Sequence, residues 1–446
     1  MLRLISTTAV AGILLISGCS QEAPSTEIET MPDDPSAVTE TTAVELNGAT
    51  QLTAGPSLSA LEFGGPDLLF AASNDNGTVY AFTLDENDAG AVPDRPTPYN
   101  IENFGTQLSE FLGVSPFDIA YNDLAVHPVS SAAFLSLTVR DPDGDKPALV
   151  KVTQDGTITF IDTNGLDTTR TELDETASAD VVFWRDIPAA SLTVTDLEFS
   201  DGKLLVAGLS TGEFASTLRQ FDYPFTGSAR ASSIEIFHTA HNQNETRAPI
   251  RAMTMVPIDG EPTLVAAYTC TPLVTIPAAN LADGAHVVGK TIAELGYGNV
   301  PVEVLAVTAF NAQTRQPEEF ILVINREMSA NLIRMEDLTE AAAGPGLTTA
   351  FQGLGDTMGV ENTRHPTGGV LQADNQDAQF LLMLRRNIDT GEMELISQMK
   401  GAYFRLSDFV SEYNFPDYVY AENQAGTQQF HNMVKPMEGY PELVIQ

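Results

Sequence analysis

The 446-residue chain is poor in basic residues, cysteine and tryptophan. It carries 22 Lys and Arg side chains against 60 Asp and Glu side chains, which gives a formal net charge of -38. A field of that sign repels nucleic acids, so we expect no nucleic-acid partner. The cysteines are Cys19 and Cys270, and the single tryptophan is Trp184. Strongly amphipathic helical stretches are almost absent, which disfavours a helical fold.

The N-terminus has the pattern of a lipoprotein signal peptide. Residues 4–16 form an apolar stretch that is too short to span a bilayer, and small residues follow it. Ile16-Ser17-Gly18-Cys19 then resembles the lipobox of bacterial lipoproteins, in which a peptidase cleaves before the cysteine and the thiol carries diacylglycerol. The resemblance implies a signal peptide at 1–18 and lipidation at Cys19. An ordinary signal peptide with a cysteine near its cleavage site is the alternative.

Residues 19–48 are predicted to be a disordered acidic tether. They hold seven acids, three prolines and no base, and so they have little apolar surface to bury. Ser20 follows the lipobox cysteine where an inner-membrane retention signal would often have Asp, and this favours the outer membrane. We therefore expect a membrane-anchored protein whose folded domain lies on the periplasmic or cell-surface side.

Short β-rich runs separated by turn residues occupy residues 49–400, and they recur as six similar segments. In each segment a first strand, a polar hairpin and a very apolar second strand are followed by an amphipathic third strand. The segments lie at 59–84, 122–163, 195–223, 250–278, 302–335 and 368–399. Repetition at about fifty to seventy residues predicts an all-β fold, a β-propeller of six or seven blades. A pair of β-sandwiches is the alternative.

The repeat is similar in texture to bacterial extracytoplasmic propellers of the quinoprotein-like, YVTN and WD40-like groups. No W-D dipeptide and no regular tryptophan-docking motif accompany it, since Trp184 is the only tryptophan. The resemblance therefore implies the propeller architecture and no cofactor chemistry. The aromatic-rich residues 401–446 are expected to pack on the propeller, with an exposed recognition patch as the alternative.

Gly208-Leu209-Ser210-Thr211-Gly212 matches the G-x-S-x-G elbow of serine hydrolases. That elbow needs a strand, a sharp turn and then a helix. The residues after Gly212 alternate like a second strand, so we interpret the match as a turn between strands and Ser210 as an ordinary hydroxyl.

Asp141, Asp143 and Asp145 place carboxylates at alternate positions, as in part of a calcium loop. They are the candidate metal ligands, for calcium, and a plain hairpin turn is the alternative because the distal Glu of such loops is missing. His238 and His241 form an H-x-x-H pair in an Asn-rich loop, and we expect no third ligand near them in sequence. Cys270 is interpreted as a buried small hydrophobe.

These observations favour a lipid-anchored binding or scaffold module without catalytic residues and without a required cofactor, calcium being the one possible ion. One alternative is a calcium-assisted lactonase-like or quinoprotein-like propeller enzyme, which needs polar side chains from several blades to converge on the channel. Another is an accessory lipoprotein of an envelope assembly or redox system. Whichever alternative holds, the sequence does not indicate whether the ligand of this chain is a protein or a small molecule.

Replacing Cys19 by Ala tests the anchor. Because the thiol is the acceptor of the lipid, the variant should lose labelling by a radioactive fatty acid and accumulate uncleaved or unlipidated. Labelling and membrane fractionation of cells producing each form measure this. A Cys270→Ala variant is the control and should label normally. A processed Cys19→Ala protein that still labels and still fractionates with the outer membrane would contradict the lipobox interpretation.

Overall fold

The computed structural model describes residues 55–440 apart from positions 179, 183, 297, 312–315, 352, 354–355, 402–404, 409 and 416. The predicted signal peptide at 1–18, Cys19 and the tether at 19–48 lie outside these residues. Within the described part of the chain the strands form six sheets around one axis, a six-bladed β-propeller. The all-β propeller prediction is confirmed with six blades, and the pair of β-sandwiches is wrong.

Each blade is numbered by the chain order of its innermost strand. Blade 1 consists of Ala60–Gly65, Leu68–Ser73, Thr78–Thr83 and Asp167–Glu172. Blade 2 consists of Ile119–Val126, Ala133–Val139, Lys146–Val152 and Ile158–Phe160. Blade 3 consists of Asp196–Ser200, Lys203–Leu209, Ser216–Asp222, Arg230–His238, Gln243–Glu245 and His286–Val288.

The remaining three blades follow the same plan. Blade 4 consists of Ile250–Ile258, Glu261–Tyr268, Pro272–Pro277, Lys290–Glu294 and Met358–Gly359. Blade 5 consists of Pro301–Asn311, Gln316–Asn325, Ala330–Arg334 and Thr363–His365. Blade 6 consists of Val370–Asn375, Phe380–Arg386, Met393–Met399 and Asn100–Ile101. The inner strands begin where the repeated sequence segments begin, as predicted.

The first two blades are exchanged in their order around the ring. The inner strand of blade 1 contacts those of blades 2 and 3, and the inner strand of blade 2 contacts that of blade 6. Two hydrogen bonds mark these boundaries: Leu61 N–H donates to Asp123 Oδ2 at 2.7 Å, and Val126 N–H donates to Asp374 Oδ2 at 2.7 Å. The blades therefore follow one another around the axis as 2, 1, 3, 4, 5 and 6.

Two outer strands complete blades that are distant in sequence. Asn100–Ile101 precedes blade 2 in the chain but pairs with Met393–Met399 of blade 6. Asp167–Glu172 follows blade 2 and pairs with Thr78–Thr83 of blade 1. The buried Tyr99 fixes the first of these exchanges, because its N–H donates to Ser397 Oγ at 2.7 Å. The exchanged strands tie the first two blades to the last one and close the ring.

The second strand of a blade is apolar on both faces because a neighbouring blade covers each face. In blade 1, Leu69 packs with Phe134 of blade 2, while Phe70 packs with Leu204 of blade 3. All four side chains are fully buried. Burial of each such side chain contributes about 1.5–3 kcal/mol, so the faces between blades carry most of the apolar stabilisation.

Helices are short and lie between strands or after the last blade. The α-helices are Glu86–Ala89, Phe104–Leu112, Met335–Ala343 and Ala425–Met437. The 3-10 turns are Pro116–Asp118, Trp184–Asp186, Ala189–Leu192, Ala278–Asn280, Leu406–Asp408, Glu412–Asn414 and Glu422–Gln424. No helix among the described residues has the length and apolar character that crossing a membrane requires.

The C-terminal segment contacts blade 6 through Arg405, whose side chain is 2% exposed. Its guanidinium donates to the Ser397 carbonyl at 2.7 Å, to Asn100 Oδ1 at 2.8 Å and to the Glu438 carbonyl at 3.1 Å. A buried charge is costly unless it is hydrogen-bonded, and these contacts supply the partners. Arg405 thus joins both ends of the C-terminal segment to the blade that closes the ring.

Candidate functional site

Acidic side chains from five of the six blades converge on the propeller axis. They line a cavity of about 180 Å³ in the channel. We call this set the axial carboxyl ring; its members are Glu62, Asp123, Asp196, Glu198, Glu303 and Asp374. Each belongs to the inner strand of its blade.

Most carboxyl groups of the ring join one blade to the next. Five of them accept a backbone N–H from the inner strand of a neighbouring blade. The donors are Leu61 to Asp123 (2.7 Å), Val126 to Asp374 (2.7 Å), Met253 to Asp196 (2.7 Å), Met255 to Glu198 (2.8 Å) and Phe199 to Glu62 (3.3 Å). The three aspartates also accept the N–H of the residue that follows them. Glu303 accepts the N–H of Val304 at 2.9 Å. The ring therefore acts first as a structural connection.

β-Bulges directly precede two members of the ring. The register of the inner strand shifts once in blades 1, 2, 4, 5 and 6, and the extra residues are Gly64, Asn122, Arg251, Val302 and Leu371. A bulge bends a strand and changes which way its next side chain points. Asp123 and Glu303 directly follow two of these bulges and face the axis.

Burial raises the pKa of every member of the axial carboxyl ring. It raises the pKa of Asp123 to about 7, of Glu198 to about 7 and of Asp374 to about 6, against the opposing effect of their backbone hydrogen bonds. For Glu62 the pKa lies well above its ordinary value because of burial first and then the negative charge of Glu198. Burial and neighbouring acids raise the pKa of Asp196 and Glu303 in the same way.

A second cavity of about 190 Å³, the axial mouth, opens next to the ring. It is lined by Ser59, Asn74, Tyr121, Asn122, Asp123, Ser191, Val194, Thr195, Asp196, Arg251, Val302, Glu303, Arg326, Leu371 and Gln372. Burial and then the Arg326 charge lower the pKa of Arg251. The Arg251 Nε atom is buried, and it has no hydrogen-bond partner among the described residues. Two guanidinium groups therefore face one small polar cavity.

Ser210 lies in a turn, as predicted. The strand Lys203–Leu209 is followed by a turn and then by the strand Ser216–Asp222, without a helix between them. Ser210 Oγ is 3.0 Å from Thr217 Oγ1, a neighbour within the same hairpin. A Cβ atom at Gly208 would lie 2.0 Å from the Thr193 carbonyl oxygen, so this glycine is required by close packing.

The 141–145 loop joins the second and third strands of blade 2. Asp141 accepts the N–H of Asp143 at 2.9 Å and pairs with Lys146 Nζ at 2.5 Å. Hydrogen bonding to Lys146 lowers the pKa of Asp141. The carboxylate has a cation of the protein as its partner in this geometry, and calcium binding by Asp141, Asp143 and Asp145 stays a prediction.

His238 and His241 meet two glutamates at the boundary of blades 3 and 4. Glu245 binds both rings, with 3.0 Å to His238 Nδ1 and 2.5 Å to His241 Nδ1. Glu294 of blade 4 lies on the other side of His238, with 3.8 Å between its Oε2 and His238 Nε2. The expectation that no third ligand lies nearby was wrong, because Glu245 follows His241 by four residues. These four residues are the His–Glu cluster.

Cys270 is a half-buried free thiol with a positive φ of 67°. Burial raises the pKa of the thiol, and the charges of Glu294 and Glu245 raise it further. His127 follows the inner strand of blade 2, and its Nδ1 accepts the N–H of Ser130 at 2.9 Å. His127 therefore shapes the turn that ends the strand.

The sequence contains a signal for the axial carboxyl ring. An acid flanked by strand residues recurs near the start of the repeated segments, as Asn122-Asp123-Leu124, Thr195-Asp196-Leu197, Val302-Glu303-Val304 and Ala373-Asp374-Asn375. Asp123 and Glu303 occupy equivalent positions directly after a bulge, whereas Asp374 lies two residues beyond the equivalent position in blade 6, Gln372. Spacing along the chain alone does not show that they meet.

No protein-family model and no curated protein matches the chain. Among solved structures it is similar to Drosophila Plexin A in complex with Semaphorin 1b, with 9% identity over 77% of this chain and 86% of that one, at a TM-score of 0.33. It is also similar to YCF48 from Cyanidioschyzon merolae, with 10% identity over 78% of this chain and 96% of that one, at a TM-score of 0.33. An ancestral GH74 enzyme has 9% identity over 75% of this chain and 57% of that one, at a TM-score of 0.26. At these TM-scores the six-bladed assignment rests on the chain's own sheets, and no activity is carried over.

Replacing Glu198 by Gln tests the protonation of the axial carboxyl ring. The pKa of Glu198 is higher in the folded chain, about 7, than in the unfolded chain. The contribution of this carboxyl group to the free energy of unfolding is therefore fully present below the unfolded pKa and is lost as the pH rises through the folded pKa. The Gln side chain keeps an acceptor for Met255 but cannot ionise. As the pH rises from about 5 to about 8, the free energy of unfolding of the variant should therefore increase by about 1–3 kcal/mol relative to that of the parent. Denaturant unfolding across this range measures the difference.

The control is Glu261→Gln, which removes an exposed acid from blade 4. Its unfolding free energy should follow the parent at every pH. Parallel pH profiles for Glu198→Gln and the parent would show that Glu198 does not take up a proton on folding.

Proposed function

We propose that the chain is a lipid-anchored, extracytoplasmic β-propeller that binds a small anionic solute at the axial mouth and is not itself an enzyme. The signal-peptide pattern and the lipobox at Cys19 support the anchor. The acidic composition of residues 19–48 supports a tether that holds the propeller away from the membrane. The axial mouth supports the binding role.

The observation that carries the binding role is the pairing of Arg251 with Arg326 in a strongly acidic protein. Two guanidinium groups beside each other repel, and here burial and then the charge of Arg326 lower the pKa of Arg251. An anion between them would relieve this repulsion and could accept paired hydrogen bonds, which planar guanidinium groups offer to carboxylate and phosphate. It would also provide a partner for the buried Arg251 Nε.

Several of the other polar groups of the axial mouth are already engaged. Asn122 donates to the Leu58 carbonyl at 2.9 Å, and Gln372 donates to the Asn122 carbonyl at 2.7 Å. Asn74 donates to Val194 and accepts from it. These bonds hold blades together. The guanidinium groups and the Tyr121 hydroxyl, which is buried without a hydrogen-bond partner among the described residues, remain as donors for a ligand. A cavity of about 190 Å³ is small for a drug-sized ligand and suits an anion of the size of phosphate or a short carboxylate.

Inorganic phosphate and succinate are the probes for this site. At matched ionic strength either anion should raise the melting temperature of the full chain, since a ligand at a hundredfold excess over its Kd stabilises the folded state by about 2.7 kcal/mol. Arg251→Gln and Arg326→Gln should each remove the effect because one half of the anion site is lost. Thermal unfolding and calorimetric titration measure it.

Arg230→Gln is the matched control, because Arg230 already pairs with Asp222 on the surface of blade 3 at 2.9 Å. It removes the same charge and should leave the anion response intact. Equal responses of the parent, Arg251→Gln and Arg326→Gln would contradict the anion site. A parent without any response would do so as well.

A calcium-assisted enzyme is the second candidate, because the axial carboxyl ring supplies the convergent acids that such an enzyme needs. Calcium binds six to eight oxygen ligands, and Glu62, Glu198 and Glu303 each have an oxygen outside the backbone bonds described above. Two features favour the binding module. Both oxygens of the ring's aspartates accept N–H groups, and burial favours the protonated, uncharged acids.

Thermal unfolding of EDTA-treated protein separates the two candidates. Because backbone donors already occupy the ring's aspartates and burial favours the uncharged acids, CaCl₂ should raise the melting temperature no more than MgCl₂ at equal ionic strength. A calcium-specific rise that is lost in Asp143→Asn with Asp145→Asn would assign the ion to the 141–145 loop. A calcium-specific rise that is lost in Glu303→Gln would assign it to the channel and favour the enzyme.

A further inference from the structure

We propose that His238, His241 and Glu245 bind a divalent transition-metal ion of the zinc class, with Glu294 as the outer partner of His238. This site is separate from the axial mouth and does not depend on the anion proposal. One nitrogen or oxygen from each of the three ligands lies within 4.8 Å of the others. The set offers two imidazoles and one carboxylate, which suits Zn²⁺ and its neighbours in the first transition row and does not suit Ca²⁺.

The hairpin that ends blade 3 builds this arrangement. Strand Arg230–His238 pairs with Gln243–Glu245, and the turn between them contains Asn242 with a φ of 52°. The turn folds the His241 ring back over the His238 ring, with centroids 3.9 Å apart. Both Nδ1 atoms then point at the same carboxylate, at 3.0 and 2.5 Å. The ligand atoms therefore surround one point before any ion arrives.

The tautomer of His238 provides a second, independent observation. A carboxylate only accepts hydrogen bonds, so the contact of Nδ1 with Glu245 requires a proton on Nδ1. In neutral His238 the Nε2 atom then carries a lone pair that faces Glu294. Nε2 is buried without a hydrogen-bond partner among the described residues, and so is Glu294 Oε1. Both side chains are almost completely shielded from solvent.

A metal ion on Nδ1 removes this mismatch. The ion takes the Nδ1 lone pair, the ring proton moves to Nε2, and Nε2–H can donate to Glu294 across the present 3.8 Å gap. Ligating histidines commonly donate their other ring N–H to a carboxylate in this way. Thr239 Oγ1 already donates to Glu294 Oε2 at 2.7 Å and holds that carboxylate in place.

The site has an open side. The His241 side chain is 46% exposed, whereas His238 and Glu294 are buried. Three protein ligands with a solvent-facing fourth position describe a zinc site that keeps a water molecule. Because Glu294 belongs to blade 4 and the three ligands belong to blade 3, a bound ion also fixes the end of the blade 3 hairpin against blade 4.

Cobalt titration of the full chain tests the proposal, with protein purified without a histidine tag and stripped with EDTA. An excess of MgCl₂ occupies carboxylate-only sites of this acidic protein. We expect one equivalent of Co²⁺ to give the visible absorption of four- or five-coordinate cobalt, and one equivalent of Zn²⁺ to displace it. Glu294→Gln should weaken binding by about 10–100-fold. Glu245→Gln and His241→Gln should abolish the visible bands.

His241→Gln is the decisive variant, because an exposed side chain can be changed without unfolding the chain. His286→Gln is its control: His286 also faces a glutamate, Glu235, at 3.3 Å on blade 3, but no third ligand joins that pair among the described residues. The control should bind cobalt like the parent. Absence of the bands in the parent, or their persistence in His241→Gln, would overturn the proposal.

Discussion

Hydrogen bonds from the backbone of one inner strand to a carboxyl group on the next are the interaction on which the ring depends. The inner strands of neighbouring blades approach each other around the axis without forming a common sheet. Their N–H groups face the channel, and an unsatisfied buried donor costs about 1–3 kcal/mol. Asp123, Asp196, Glu198, Glu62 and Asp374 supply acceptors at five such points. A short acidic side chain therefore replaces the strand pairing that the axis cannot provide.

The same arrangement explains why the channel tolerates six acids in a chain that is already strongly negative. Ionising them together would place like charges a few ångströms apart in a poorly hydrated space, which is costly. A protonated carboxyl group still accepts through its carbonyl oxygen, so the connection survives without the charge. A bulge of the same kind as those before Asp123 and Glu303 holds Arg251 in the inner strand of blade 4, where it lines the axial mouth. The candidate binding site is in this sense a consequence of how the ring is held together.

The architecture could be predicted because blades repeat in sequence, and the inner strands begin at the positions that the repeats indicate. Apolar second strands such as Leu68–Ser73 indicated cover on both faces, and neighbouring blades provide it. The exchange of blades 1 and 2 could not be predicted, because it depends on the pairing of Asn100–Ile101 with a strand about three hundred residues away. Two residues carry too little pattern to reveal such a partner.

The sites were harder to predict than the fold, for two different reasons. The axial carboxyl ring draws one or two acids from each of several blades, and only the closed ring brings them together. In the His–Glu cluster Glu245 could have been found from the sequence, since it follows His241 by only four residues. Glu294 was not, because it comes from the fourth strand of the next blade.

Titration of the side-chain carboxyl carbons by NMR tests the central claim most directly. In ¹³C-labelled protein, resonances that disappear in Asp123→Asn, Glu198→Gln and Asp374→Asn identify three members of the axial carboxyl ring. Their pKa values should be about 7, about 7 and about 6. Values near those of exposed groups, about 3.9 for Asp and about 4.3 for Glu, would contradict a buried ring whose acids hold raised pKa values.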